Sequence, residues 1–413
     1  MVDRPLLNKL CVVLPRYGES LGGGAETLVR ELVRHASAGN MPLVRDVEVL
    51  TTCARDHRTW ANELPAGVSQ DGEITVRRFP VDERDIGEFI RCERAMQEGR
   101  SLTPEEQLSW LSSSVNSRGL YEYLYQHGAS YDAILFAPYL FATTFFGALI
   151  YPEKSIVIPC LHDEHYAYQG VFRELFRRVR GIIFNAVPER ELFQEIYALP
   201  GMEKRSAVVG MGFDPVLEVD ADVEVDAAGE LPNFPYVIYS GRKEKGKNLD
   251  LLLRYFEFYH SRNGQTSTNL QLVLIGSGAI DFRESLPPGV HDFGFVSEAR
   301  KSALLRNATA LIQPSQNESF SIVIMEAWQR GCPVIVHAGC PVTRHHVTES
   351  GGGLYFATPD EFCGVLDRLT ADPLLREELA QAGQDYVAQV YSWEAVLARF
   401  QDALRINNPL PNS

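Results

Sequence analysis

Apolar runs of four to eight residues recur along the chain, separated by longer stretches with helical spacing of apolar positions. Residues 10–14, 47–51, 133–136, 155–158 and 181–184 form a first series, and residues 236–239, 270–275, 309–312 and 333–336 a second. These runs are apolar throughout instead of alternating, which suits strands covered on both faces in a parallel sheet flanked by helices. Two such series predict two doubly wound α/β domains. Between them, residues 214–235 are rich in Asp, Glu, Ala, Gly and Pro and read as a solvated linker. The predicted domains therefore span 1–213 and 236–390, with a closing helix over 391–413 that packs back on the first domain. Residues 82–130 are charged, helix-like and interrupted, a helical insertion in the first domain. Within it Thr103 and Glu106 predict a capping box, with Pro104 at the first helical position.

Composition narrows the class. The 413 residues carry 39 Lys plus Arg against 54 Asp plus Glu, a formal net charge of −15. Such an acidic chain lacks the basic footprint that nucleic acid requires, although a local basic pocket for a small phosphorylated ligand is compatible with it. Seven widely spaced cysteines with no C-x-x-C pair suit reduced thiols more than disulfides or a zinc site. The opening residues lack a signal-peptide core, and no run approaches the roughly 20 apolar residues of a membrane span. The expectation is a cytoplasmic protein, at most peripheral at the inner face of the cytoplasmic membrane. Asp220-Ala-Asp222 forms a D-x-D triplet of the kind that holds a divalent ion elsewhere. In an acidic linker that pattern arises easily, and no metal is expected.

The stretch 308–337 is the most informative. It parses as a strand, a short polar loop, a helix stopped by Gly331, and a second strand. Glu318 falls at the loop tip and Glu326 in the second turn of the helix. Between them Phe320, Ser321 and Ile322 offer backbone N–H groups with no intrahelical partner, a place to hold phosphate at the end of a parallel strand. Acids flanking such a site would repel phosphate, so they make sense as binders of hydroxyls. Glu326 lies in a helix apolar on nearly every side (Ile322, Val323, Ile324, Met325, Ala327, Trp328), and a Glu so placed needs a partner. The plainer reading makes Glu318 a loop acid near a positive helix end and Glu326 a surface residue.

Glu318 and Glu326, spaced E-x7-E and followed by Ala327-x3-Gly331-x-Pro333-Val334, resemble the signature of retaining glycosyltransferase family 4. Segments 239–253 (with Gly241-Arg242 and Lys247-Asn248), 274–278, 293–296, 208–214 and 391–393 resemble further elements of that family in order. The resemblance implies the GT-B fold, two Rossmann-like domains facing across a cleft. It implies transfer of a sugar, with retention, from a nucleotide-diphosphate donor to an acceptor hydroxyl in polysaccharide, lipopolysaccharide or glycolipid assembly. The partners it implies are a nucleotide sugar and a saccharide or lipid-linked saccharide acceptor, without nucleic acid and without a bound cofactor. By matching positions, Arg242 and Lys247 would neutralise the leaving diphosphate, Glu318 would bind the donor sugar and Glu326 the ribose. Backbone near Phe295 and Val296 would meet the base. Lys243 and Lys245 read as exposed loop cations. The family often has Gly where this chain has Ser321, a side chain that narrows the site.

In the first domain, the glycine-rich loop after the first strand matches the family's Gly-Gly-Ala-Glu element at Gly23-Gly24-Ala25-Glu26, where backbone approaches phosphate and acceptor. His162, just past a strand end, matches an active-site His near the donor sugar; a lone His is otherwise structural. His345 and His346 read as exposed or acceptor-side. Residues 171–180 form a basic amphipathic stretch with Phe172, Leu175, Phe176 and Val179 on one face. Such a face suits either an anionic membrane or, as preferred here, the sheet that it must cover. The rival functions are another GT-B enzyme, an epimerase or inverting transferase, and a non-catalytic sugar-nucleotide-binding subunit.

Overall fold

The computed structural model describes residues 5–18, 23–39, 42–216, 230–262, 269–280, 282 and 285–406, without the Lys245 side chain. Most of the predicted linker, including the Asp220-Ala-Asp222 triplet, lies outside the described residues. The chain divides into two compact units, Met1–Gly212 with Trp393–Ser413, and Phe213–Ser392.

Among the described residues, unit 1 holds one sheet of eight strands: β1 (Leu7–Val13), β2 (Val44–Thr52), β3 (Gly67–Asp71), β4 (Ile74–Phe79), β5 (Ala133–Phe136), β6 (Ser155–Val157), β7 (Gly181–Phe184) and β8 (Ser206–Val208). Their order is β3-β4-β2-β1-β5-β6-β7-β8, parallel except for the β3–β4 pair. The strands read from continuous apolar runs are the central ones, buried on both faces. The β3–β4 pair escapes that signal because it lies at an edge and carries polar residues. Arg77 of β4 binds Glu48 at 3.0 Å, and nearly all of β3 is exposed.

The insertion forms helices Ile86–Gln97, Pro104–Ser112 and Arg118–His127. The middle one starts with the reciprocal bonds of a capping box between Thr103 and Glu106. Trp110 on this helix is buried and donates its indole N–H to Glu93 at 2.8 Å, tying the helix to its neighbour. Helix Gly170–Arg178 turns Phe172, Leu175 and Phe176 fully into the core beside Val179, so its apolar face covers the sheet and is not free for lipid. The closing helix Trp393–Ile406 belongs to unit 1. The Trp393 ring stacks on His35 at 3.7 Å, and the Arg399 guanidinium donates two bonds to the Val209 carbonyl.

Unit 2 holds β9 (Tyr236–Ser240), β10 (Gln271–Ile275), β11 (Val290–Asp292), β12 (Leu311–Gln313), β13 (Val334–His337) and β14 (Gly353–Phe356), all parallel, in the order β11-β10-β9-β12-β13-β14. This is the dinucleotide-fold order, in which the chain reverses direction across the sheet between its first and fourth strands. Side chains from β9, β10, β12 and helices Leu249–Arg262 and Pro359–Ala371 fill one buried core. All seven cysteines are free and buried. No described helix is long and apolar enough to cross a membrane.

Candidate functional site

In a doubly wound sheet, ligands bind outside the carboxyl ends of the strands where the order reverses. In unit 2 that place lies between β9 and β12. The β9 exit carries Arg242, Lys243 and the short 3-10 turn Lys245–Lys247. The β12 exit carries Ser315, Glu318 and the start of helix Ile322–Gln329. Asn248 ties the two exits together, donating from its side chain to the Pro314 carbonyl at 3.0 Å.

The structure joins two of the expected site residues directly. Lys247 Nζ stands 2.7 Å from Glu318 Oε1, and the Gln313 amide reaches the same oxygen at 3.4 Å. Arg242 stands 3.2 Å from Glu244 and keeps its side chain 38% exposed, so it is available to a ligand. Its carbonyl accepts from the buried Tyr239 hydroxyl at 2.8 Å, which anchors the loop to the strand.

Ser321 is the residue before the helix and sits at φ 71°, ψ 74°, in the left-handed region. Glycine enters that region freely and other residues at some cost, which gives a physical reason for a preference for Gly here. Next to it Phe320 is 2% exposed and packs among Phe213, His346 and Tyr391 with ring centroids 6.3, 5.5 and 5.1 Å away. That packing fixes the turn and so the direction of the first N–H groups of the helix, including Ile322.

Glu326 has the partner its setting demands, but within the chain. Lys301 Nζ lies 2.9 Å from its Oε1 and 2.8 Å from Glu298, and the Glu326 side chain keeps 22% exposure. Burial pulls the Lys301 ammonium down, but the carboxylates of Glu326 and Glu298 outweigh it and hold its pKa above the usual value. Reading the sequence missed Lys301, because nothing local marks a lysine 25 residues from its acid.

Two expectations are corrected. Lys243 is no exposed loop cation: it is 3% exposed and ion-paired with Asp292 at the end of β11. Asp292 also accepts from the Gly294 N–H at 2.8 Å. The Gly276 N–H donates to the Gly294 carbonyl at 2.8 Å, and a Cβ on Gly276 would stand 2.0 Å from the Gly241 carbonyl. Three strand exits are thereby knitted together, with Phe295 standing out at 82% exposure and Val296 beside it. His346 is likewise not exposed but fully buried, 3.0 Å from the Tyr386 hydroxyl, and burial drives its pKa down to about 3. It is a neutral core residue.

In unit 1, Gly23 precedes helix Gly24–Ser37 with its carbonyl accepting the first helical bond from Thr27 at 2.9 Å. A Cβ on Gly23 would stand 2.1 Å from Glu26 Oε2 and 3.2 Å from the Arg16 guanidinium. Arg16 and Glu26 form a buried ion pair there, with Arg16 also bonding the Arg55 carbonyl at 3.2 Å. Gly24 has open space around its Cβ position. His162 follows the β6 exit, 3.7 Å from Glu164 through Nδ1, with 30% of its side chain exposed. Among the described residues no group of three His, Cys, Asp or Glu side chains gathers closely enough to hold a metal ion.

Residues 222–386, within unit 2, match the family described as Glycosyl transferases group 1. An uncharacterized glycosyltransferase of Methanocaldococcus jannaschii is 29% identical over 170 residues, 39% of this chain and 42% of that protein. The phosphatidyl-myo-inositol mannosyltransferase of Mycobacterium leprae is 25% identical over 252 residues, 56% of this chain and 60% of that protein. The chain thus spans roughly half the length of these curated relatives. Among solved structures, Anabaena HepE in complex with UDP and glucose superposes with a TM-score of 0.63 at 15% identity, over 96% of this chain and 99% of that one. The fold is GT-B, with two Rossmann-like units.

Proposed function

We propose that the chain is a retaining glycosyltransferase of family 4 that moves a sugar from a nucleoside-diphosphate donor to an acceptor hydroxyl, without a metal. The observation that carries this reading is the joined exits of β9 and β12, where Lys247 meets Glu318 at 2.7 Å beside Arg242 and a helix N-terminus. Cations and the N–H groups at a helix start suit a diphosphate at that place. A cation on the leaving group stabilises charge that grows as the glycosidic bond breaks, so it lowers the barrier as well as tightening binding. Glu318, within reach of Lys247, is set to accept hydrogen bonds from donor-sugar hydroxyls. Glu326, held by Lys301, is set to accept from the ribose through its other oxygen. Backbone at Phe295 and Val296 would meet the base.

None of these groups serves as a nucleophile. The acceptor oxygen would attack the anomeric carbon on the face from which the diphosphate departs, and a departing phosphate oxygen would take the acceptor proton. Unit 1 would supply the acceptor side, with Gly23, Gly24 and His162 as its candidate residues. A saccharide or lipid-linked saccharide is the proposed acceptor, in glycolipid, lipopolysaccharide or polysaccharide assembly. Seven buried thiols suit a reducing cytoplasm, with any contact at the membrane peripheral and independent of the buried face of helix Gly170–Arg178.

Thermal stabilisation across UDP-, GDP- and ADP-sugars tests donor binding, since a bound donor raises stability by mass action. NMR of the product then reads the anomer. An inverted product would reject retention, and no stabilisation by any nucleotide sugar would reject the donor site.

A further inference from the structure

Glu189 is a buried carboxylate to which the proposed reaction assigns no part. It is 1% exposed, in the first turn of helix Val187–Tyr197. One carboxylate oxygen accepts from the Leu161 N–H at 2.7 Å and the other from the Asn185 N–H at 2.6 Å. The N–H groups of Cys160 and Ala186 also donate to it. Burial pushes its pKa up to about 8 against the pull of these four donors.

The two clamped segments are the exits of β6 and β7, which are neighbours in the sheet. The β6 exit needs holding. Cys160 sits at φ 53°, in the left-handed region, and the next peptide but one carries His162. Ala186, the residue capping the helix, contributes no side-chain bond, so the local N–H groups rely on Glu189. A carboxylate serving only its own helix would end there. This one reaches 28 residues back in the chain, to the N–H of the residue immediately before His162.

We propose that Glu189 is a positioning residue for His162: by clamping the strand exits it fixes where the imidazole stands during sugar transfer. This rests on the reading that His162 takes part in transfer. Misplacing a reacting group by an ångström lowers a rate by as much as about 100-fold, without a matching loss of substrate binding.

The experiment uses the full chain and measures release of nucleoside diphosphate from whichever of UDP-glucose, GDP-mannose and ADP-glucose the wild type turns over fastest. The assay is run at about pH 9, above the side chain's pKa of about 8, where both oxygens accept. There Glu189→Gln keeps the shape of the side chain but turns an amide NH2 toward one pair of N–H donors. It is expected to lower kcat by roughly 10–100-fold with the donor KM within about twofold. Glu189→Asp, which keeps both acceptor oxygens, is expected to restore part of the loss. The deciding measurement is the double variant with His162→Ala, in which Glu189→Gln should cost less than about twofold more, because there is no imidazole left to misplace. If His162→Ala is defective and Glu189→Gln lowers kcat by the same factor with and without the imidazole, the positioning role is overturned and the His162 reading stands. If His162→Ala turns over normally, the His162 reading itself falls, and the proposal with it. Loss of the fold in both Glu189→Gln and Glu189→Asp would assign the residue to stability alone and overturn the proposal.

Discussion

At the exits of β9 and β12, unit 2 pairs Lys247 with Glu318 while leaving Lys247 25% and the nearby Arg242 38% exposed. In unit 1 the helix start after β1 also holds an ion pair, Arg16 with Glu26, but their side chains are only 7% and 11% exposed. Both pairs stand beside strand exits in sheets of the same doubly wound construction. The difference is access. A cation that is paired yet reachable can exchange its partner for a phosphate, whereas a pair closed off from water holds the backbone around it. Gly23 shows what the closed pair does, since it leaves no room for a Cβ beside Glu26. On the proposed function, the reachable pair of unit 2 meets the donor, and the closed pair of unit 1 holds the backbone at Gly23.

The two pairs should fail differently when each loses its cation. Lys247→Ala should lower donor turnover by about 100–1,000-fold while the melting temperature stays near that of the wild type. Near-normal turnover would remove Lys247 from the leaving-group site. Arg16→Ala should do the reverse, because it leaves Glu26 buried without its cation. A loss of about 3–5 kcal/mol is expected in chemical denaturation. Gly23→Ala should cost about 1–3 kcal/mol through the same pair, because Glu26 can clear the new methyl only by leaving Arg16. An unchanged stability in both variants would show that the pair is not architectural.

Two buried groups, one in each unit, should also answer pH with opposite sign. His346 in unit 2 is lowered from an ordinary 6.5 to about 3 by burial, so the unfolded chain binds its proton first. Its contribution is present above pH 6.5 and is lost as pH falls toward 3. Glu189 in unit 1 is raised from 4.5 to about 8, so the folded chain binds the proton first, and stability is lost as pH rises across that window. His346→Gln should flatten the loss of stability as pH falls from 6.5 toward 3, and Glu189→Gln the loss as pH rises from 4.5 toward 8. Each kcal/mol of linkage is worth roughly 2–4 °C for a unit of this size. A variant that flattens the opposite limb would overturn the assignment. The smallest effect is expected from Ser321→Gly, which frees a left-handed residue of its side chain. It should leave stability unchanged or raise it by up to about 1 kcal/mol, with donor turnover within about threefold.

The sequence by itself determined the class of fold and the two series of strands, because strands buried on both faces must be apolar throughout, and that shows in a single chain. It also placed Arg242, Lys247 and Glu318 at strand exits. Their place is legible because polar groups interrupt apolar runs at strand ends, while their proposed roles come from the family resemblance. Strands β3, β4, β8, β11 and β14 were not legible, being short, polar or at sheet edges where only one neighbour is paired. Only the tertiary structure decided who partners whom. Lys301 reaches Glu326 across 25 residues, Lys243 reaches Asp292 across 49, and Glu189 reaches Leu161 across 28. A charge pattern states that a buried carboxylate or ammonium needs a partner, but the partner is chosen by which strand exits the sheet order brings side by side. For the same reason Lys243 and His346 look like surface residues in the chain and are core residues in the fold. Burial is a property of packing, and packing is settled only when the sheet has closed.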